Sequence, residues 1–127
     1  MSNYAMYRGD SLTLAVSITQ TIDSVKVPVD LTGATVWMTA KRHYKDTDLQ
    51  AVFQIKTPTD IILDGDPTTG RCTIIVPASA TKDMVFVENV LTQELYFDIQ
   101  IKTQLGVVQT VESGKLTVSV DVTQSIT

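Results

Sequence analysis

The chain of 127 residues has one cysteine, one histidine and one tryptophan. A single cysteine closes no internal disulfide, so Cys72 belongs to no extracellular disulfide framework. It lies in the strand-like run Arg71-Cys72-Thr73-Ile74-Ile75-Val76 and reads as a buried structural thiol. A nucleophilic cysteine wants a histidine nearby, and His43 is the only one. A zinc site needs three or four N, S or O ligands at suitable spacing, and nothing matches. GxSxG, HExxH and Gly-rich phosphate loops are all missing. The expectation is a non-enzyme with no catalytic residues, no metal and no cofactor. Blocks of one charge are missing too. Ten Lys+Arg against fourteen Asp+Glu give a net charge of −4, spread along the chain. The densest basic cluster, Lys41-Arg42-His43-Tyr44-Lys45, is too short to grip a phosphate backbone and reads as a solvated loop. No nucleic-acid partner is expected. No apolar run approaches the roughly 20 residues of a membrane helix. Residues Met1–Arg8 lack the basic start and apolar stretch of a secretory signal. The expectation is therefore no membrane, with synthesis and folding in a cytoplasm.

Proline and glycine are also scarce, at four and six residues, which argues against collagen-like or low-complexity chains. What the chain does have is β-branched residues: 19 Thr, 16 Val and 10 Ile. These are stiff at χ1 and pack well on pleated surfaces. They fall in alternating patterns. In Ser11–Gln20, Leu12, Leu14, Val16 and Ile18 point one way and the Ser and Thr residues the other. Ala34–Lys41, Leu49–Lys56, Ile61–Leu63, Arg71–Val76, Val107–Val111 and Lys115–Val122 read as further strands. Glu94–Lys102 alternates most cleanly, with Leu95, Phe97, Ile99 and Ile101 inward and Glu94, Tyr96, Asp98, Gln100 and Lys102 outward. Val25–Val29, carrying Pro28, reads as an edge or connection. Val85–Val90 is apolar but ambiguous, and residues 78–84 suit a short helical turn. Seven or eight short strands with turn signals every 8–15 residues predict an all-β fold. The specific expectation is a single antiparallel β-sandwich, immunoglobulin-like, spanning residues 1–127.

Short motifs have plain readings beside their functional ones. Asp64-Gly65-Asp66 offers oxygens to Ca²⁺ but lacks the remaining EF-hand positions, so a turn is expected. Arg8-Gly9-Asp10 matches the integrin-recognition tripeptide, yet Gly9 as a turn residue also accounts for it. Trp37 falls on the mainly polar face of its strand. Either its ring covers the edge of the core or it is an exposed anchor at an interface, where Trp is enriched. Tyr4, Tyr7, Trp37 and His43 are the candidate protein-interface residues. The segments Ser2–Tyr7 and Gln124–Thr127 have little core of their own and are expected to contact neighbouring subunits.

Several segments in order carry a resemblance. They are Tyr7-Arg8-Gly9-Asp10-Ser11 before an alternating strand, and Val29-Asp30-Leu31-Thr32-Gly33-Ala34-Thr35-Val36. Then come Asp64 to Gly70 before a β run ending in Val76-Pro77-Ala78-Ser79, and Tyr96-Phe97-Asp98-Ile99-Gln100-Ile101. Ser113-Gly114-Lys115-Leu116-Thr117-Val118, closing with Asp121-Val122-Thr123, completes the set. Together they resemble an immunoglobulin-like β-sandwich module of tailed bacteriophages and are similar to the N-terminal domain of phage baseplate upper proteins. The resemblance implies a virion structural protein, present as a homo-oligomer or in many copies, with other tail, fibre or capsid subunits as partners. A tail or baseplate adaptor attaching fibres or receptor-binding proteins is the first expectation. A capsid decoration protein is the second. A carbohydrate-binding module, from a different class, would need a groove lined by aromatics or carboxylates.

Overall fold

The computed structural model describes residues 2–86 and 89–121. Ten strands follow in chain order: β1 (Ser2–Tyr7), β2 (Leu12–Ser17), β3 (Thr19–Ile22), β4 (Val25–Pro28), β5 (Thr35–Lys41), β6 (Phe53–Lys56), β7 (Ile61–Leu63), β8 (Arg71–Val76), β9 (Thr92–Lys102) and β10 (Val108–Ser119). Three single 3₁₀ turns interrupt them at Asp48–Gln50, Pro67–Thr69 and Ala78–Ala80, the last inside the stretch expected to be helical. A five-stranded sheet runs β1-β10-β9-β5-β6 and a three-stranded sheet runs β2-β8-β7. These eight strands make the sandwich, and β3 and β4 form a separate hairpin. In immunoglobulin terms β2, β8 and β7 take the places of strands B, E and D, while β10, β9, β5 and β6 take those of G, F, C and C′. The chain is an all-β, immunoglobulin-like sandwich.

The alternating patterns become the core. Inward residues of the large sheet, including Val36, Met38, Leu95, Ile99, Ile101, Leu116 and Val118, are fully buried. They meet Ile61, Ile74 and Val76 from the small sheet, with Leu31 between the layers, also fully buried. Cys72 is among them, as expected. Burial, with the Glu112 charge adding to it, pushes its thiol up to about 11, so it stays protonated and unreactive at neutral pH.

Four expectations are corrected. Residues Ser2–Tyr7 have more core than expected: β1 pairs in parallel with β10, Tyr4 opposite Leu116 and Met6 opposite Val118. Met6 is buried, so this segment joins the core that it was expected to lack, and the large sheet is mixed, not purely antiparallel. Second, Val107–Val111 and Lys115–Val122 are not two strands. Val108–Val111 and Lys115–Ser119 lie on one strand, β10, kinked by a bulge between Thr110 and Glu112, with Ser113-Gly114 inside it; Val122 lies outside the described residues. Gly114 stands opposite Phe97 and is buried. Third, Ser11–Gln20 breaks at Ile18: its N–H still donates to the Gly70 carbonyl in line with the β2–β8 register, but its carbonyl accepts from the Val29 N–H, and the Gly70 N–H turns to Pro67. Fourth, residues 49–52 precede β6, because Asp48–Gln50 curl into a turn closed by Gln50, whose side chain accepts from the Thr47 N–H at 2.9 Å. Of the ambiguous Val85–Val90, residues 85, 86, 89 and 90 are not in a strand; Val87 and Glu88 lie outside the described residues, as do Gln124–Thr127.

The Arg8-Gly9-Asp10 tripeptide is a bolt between sheet edge and loops. The Arg8 guanidinium pairs with Asp121 at 2.8 Å, donates to the Met84 carbonyl at 3.1 Å and lies 5.4 Å from the centre of the Phe86 ring. Gly9, at φ +81°, turns the chain and donates its N–H to the fully buried Thr81 hydroxyl. Asp64 and Asp66 serve turns as well. Asp66 accepts from the Thr68 N–H and hydroxyl, and Asp64 from the Gly65 N–H and the Thr69 hydroxyl.

Candidate functional site

The outward face of the five-stranded sheet carries a groove of about 260 Å³. The pairing register builds it rung by rung. Gln100 of β9 stands opposite Trp37 of β5 and Thr110 of β10. Two residues back, Asp98 stands opposite Thr39 and Ser113. Two further back, Tyr96 stands opposite Lys41 and Lys115. The middle rung holds short side chains and the outer rungs hold aromatic rings. The result is a depression with Asp98, Thr39 and Ser113 on its floor, Trp37 on one wall and Tyr96 on the other. Along the strand the two walls are roughly 13 Å apart, four residues at about 3.3 Å each.

The loop after β5 raises the second wall. Tyr44, 68% exposed, stacks on Tyr96 with ring centres 4.2 Å apart and planes 28° from parallel. Lys41 fastens this loop by pairing with Asp48 and donating to the Asp46 carbonyl, each at 2.9 Å. Beyond Tyr96, Lys115 pairs with Glu94 at 3.5 Å and its ammonium lies 5.9 Å from the Tyr96 ring centre. Thr39 accepts from the Gln54 amide at 2.9 Å and Gln100 donates to the Thr110 hydroxyl at 3.1 Å. Polar side chains around the floor are thereby held in place.

Asp98 differs from its neighbours. Among the described residues no hydrogen bond or ion pair reaches its carboxylate, although both nearby cations are paired with other acids. Burial pushes its carboxyl above the usual range, Lys41 draws it down and Asp48 pushes it up again. The groove thus offers aromatic rings, hydroxyls, an amide and one half-buried, unpartnered carboxylate. This arrangement suits binding: flat rings supply contact area at low entropy cost and the polar groups fix orientation.

Of the four interface candidates, Trp37 alone lines this groove. It is half-buried on the outward face and forms a wall. Tyr7 is exposed but stands on β1, opposite Ser119, at the far edge of the sheet. His43 is exposed on the loop beside Tyr44 and does not line the groove. Tyr4 turns inward: its ring packs 5.6 Å from that of Phe97 and its hydroxyl donates to Glu112 at 3.3 Å. Its alternation with Met6 puts it there. Tyr44, Tyr96, Asp98 and Gln100 were not singled out from sequence. The outward half of β9 showed three of them, but only the register reveals that they face Trp37.

No protein-family model matches the chain, and no curated relative matches it. Among solved structures it is similar to AggA, the major subunit of aggregative adherence fimbriae type I from Escherichia coli. The identity is 14% over 95% of this chain and 91% of that one, with a TM-score of 0.28. A likeness that distant carries no argument about what this chain does.

Proposed function

We propose that the chain is a structural component of a bacteriophage virion, an adaptor in the tail or baseplate that attaches fibres or receptor-binding proteins. On this reading it is made in the bacterial cytoplasm, works without catalysis or cofactor, and enters the particle in multiple copies beside other virion subunits. The observation that carries it is the outward face of the large sheet. A rigid strand framework presents Trp37, Tyr44 and Tyr96 around polar groups, the residue types enriched where proteins dock. The ordered segments that resemble phage sandwich modules support the same reading, and the fold that resemblance implies, an all-β immunoglobulin-like sandwich, is the fold the chain has. Since one fold serves many functions, the assignment rests on the face and the segments together.

The test is imaging of assembled particles by electron microscopy, with the copy number of the chain measured in the same preparation. Density for this sandwich at the tail or baseplate is expected. Copies spread over the head would instead make it a capsid decoration protein, and absence from particles would defeat both. A second reading, a carbohydrate-binding module, is favoured by one observation: the groove combines aromatic rings with a carboxylate. Glycan-array binding by a chain absent from particles would support it.

A further inference from the structure

From the charge left over in the groove, we infer that it receives an arginine side chain from a partner protein, with Asp98 as the paired anion and the aromatic walls as stacking surfaces. The inference rests on the docking reading of this face and names what docks there. The groove's own cations are committed. Lys41 lies 2.9 Å from Asp48 and the Asp46 carbonyl, and Lys115 lies 3.5 Å from Glu94. Asp98 remains as the one groove-lining acid that forms no ion pair among the described residues. Lys56 and Lys102 are exposed and lie outside the lining. A carboxylate that is half-buried and unpaired is costly, and a cation from outside relieves that cost. The rings then choose which cation. A guanidinium is planar, weakly hydrated, stacks on Trp and Tyr faces, and meets a carboxylate through two parallel hydrogen bonds. An ammonium is compact and strongly hydrated and uses the rings less well. A pyranose also stacks on aromatic rings, but it brings no charge to answer Asp98. Trp, Tyr and Arg are also the residues that dominate the energy of protein interfaces.

Trp37 is the only tryptophan, so its fluorescence reports on one wall of the groove. The free chain is titrated with N-acetyl-arginine amide, N-acetyl-lysine amide and methyl pyranosides at equal ionic strength, and amide NMR spectra locate any change. The arginine probe is expected to shift Trp37 emission and the Asp98 and Gln100 resonances saturably, with the lysine probe several-fold weaker. Asp98→Asn should weaken the arginine probe about tenfold or more, the worth of a charge-assisted pair. Removing this charge is not expected to unfold the chain, and an unchanged amide spectrum elsewhere checks that. Equal binding of both amides, unaltered binding by Asp98→Asn, saturation by the pyranosides alone, or no saturable response would each overturn the inference. The titration needs no particle, so it can fail while the imaging places the chain in a tail, and it can succeed whatever the imaging shows.

Discussion

The two sheets bury similar inward faces and differ outward. On the small sheet, Thr13, Ala15 and Ser17 of β2 lie beside Arg71, Thr73 and Ile75 of β8, with Ile62 of β7 at the edge. A depression there, about 340 Å³, is comparable in size to the groove on the other sheet. It holds no aromatic ring, and its acid, Asp64, is already bonded to Gly65 and Thr69. On the large sheet three rings surround a carboxylate that has no ion pair among the described residues. Cavity size therefore does not distinguish the two faces. Their side-chain chemistry does.

The comparison fails at its base if the inward faces are not equivalent. Ile74 of the small sheet and Ile99 of the large sheet are both fully buried. Truncating either to Ala should cost about 2–5 kcal/mol, from lost transfer energy and the cavity left behind. Urea denaturation measures both, and a variant costing under about 1 kcal/mol would show a sheet that does not share the core. Met6 sharpens the account of the edge. It is 7% exposed on a strand paired on one side only, so Met6→Ala should cost about 2 kcal/mol, the low end for such truncations. No loss of stability would mean that Ser2–Tyr7 adds little to the core.

Outward substitutions should separate the sheets by binding more than by stability. Trp37→Ala should abolish partner docking at the cost of about 1 kcal/mol or less in stability, as for a hot-spot residue outside the core. Thr13→Ala on the other sheet should change neither, and pull-down with the partner subunit together with a thermal melt reads both. The smallest effect belongs to Asp98. Its folded-state carboxyl is raised, so the folded chain binds that proton more readily than the unfolded one. Ionised Asp98 therefore costs stability at neutral pH. The cost fades as pH falls from the raised value toward the usual carboxylate range. Asp98→Asn should melt slightly higher than the parent at pH 7, with the difference shrinking in acid. A variant that melts lower at pH 7 would mean that Asp98 has a stabilising partner.

Sequence alone showed much of the framework and little of the site, for physical reasons. Period-two alternation in β5, β8 and β9 is a local signal, and those strands lie where it places them, as does β2 as far as Ser17. Tyr4 and Met6 alternate too, but a strand of six residues that pairs in parallel with the far end of the chain leaves no local mark of its partner. Val107–Val111 and Lys115–Val122 read as separate strands because glycine usually weakens a strand. Only the pairing with β9 shows that β10 runs on through Ser113-Gly114. The groove is a matter of register. Trp37 and Tyr96 become opposing walls only once Trp37 stands opposite Gln100. Tyr44 looked like part of a solvated charged loop until the Lys41–Asp48 pair folded that loop onto the sheet.

The central claim is that the outward face of the five-stranded sheet is where a partner docks. A cryo-electron-microscopy map of the assembled particle, at a resolution that shows side chains, tests it most directly. The account predicts neighbouring density covering Trp37, Tyr44 and Asp98, while the outward face of β2, β8 and β7 stays open. A map with the groove open to solvent and the subunit held by its other sheet would contradict it.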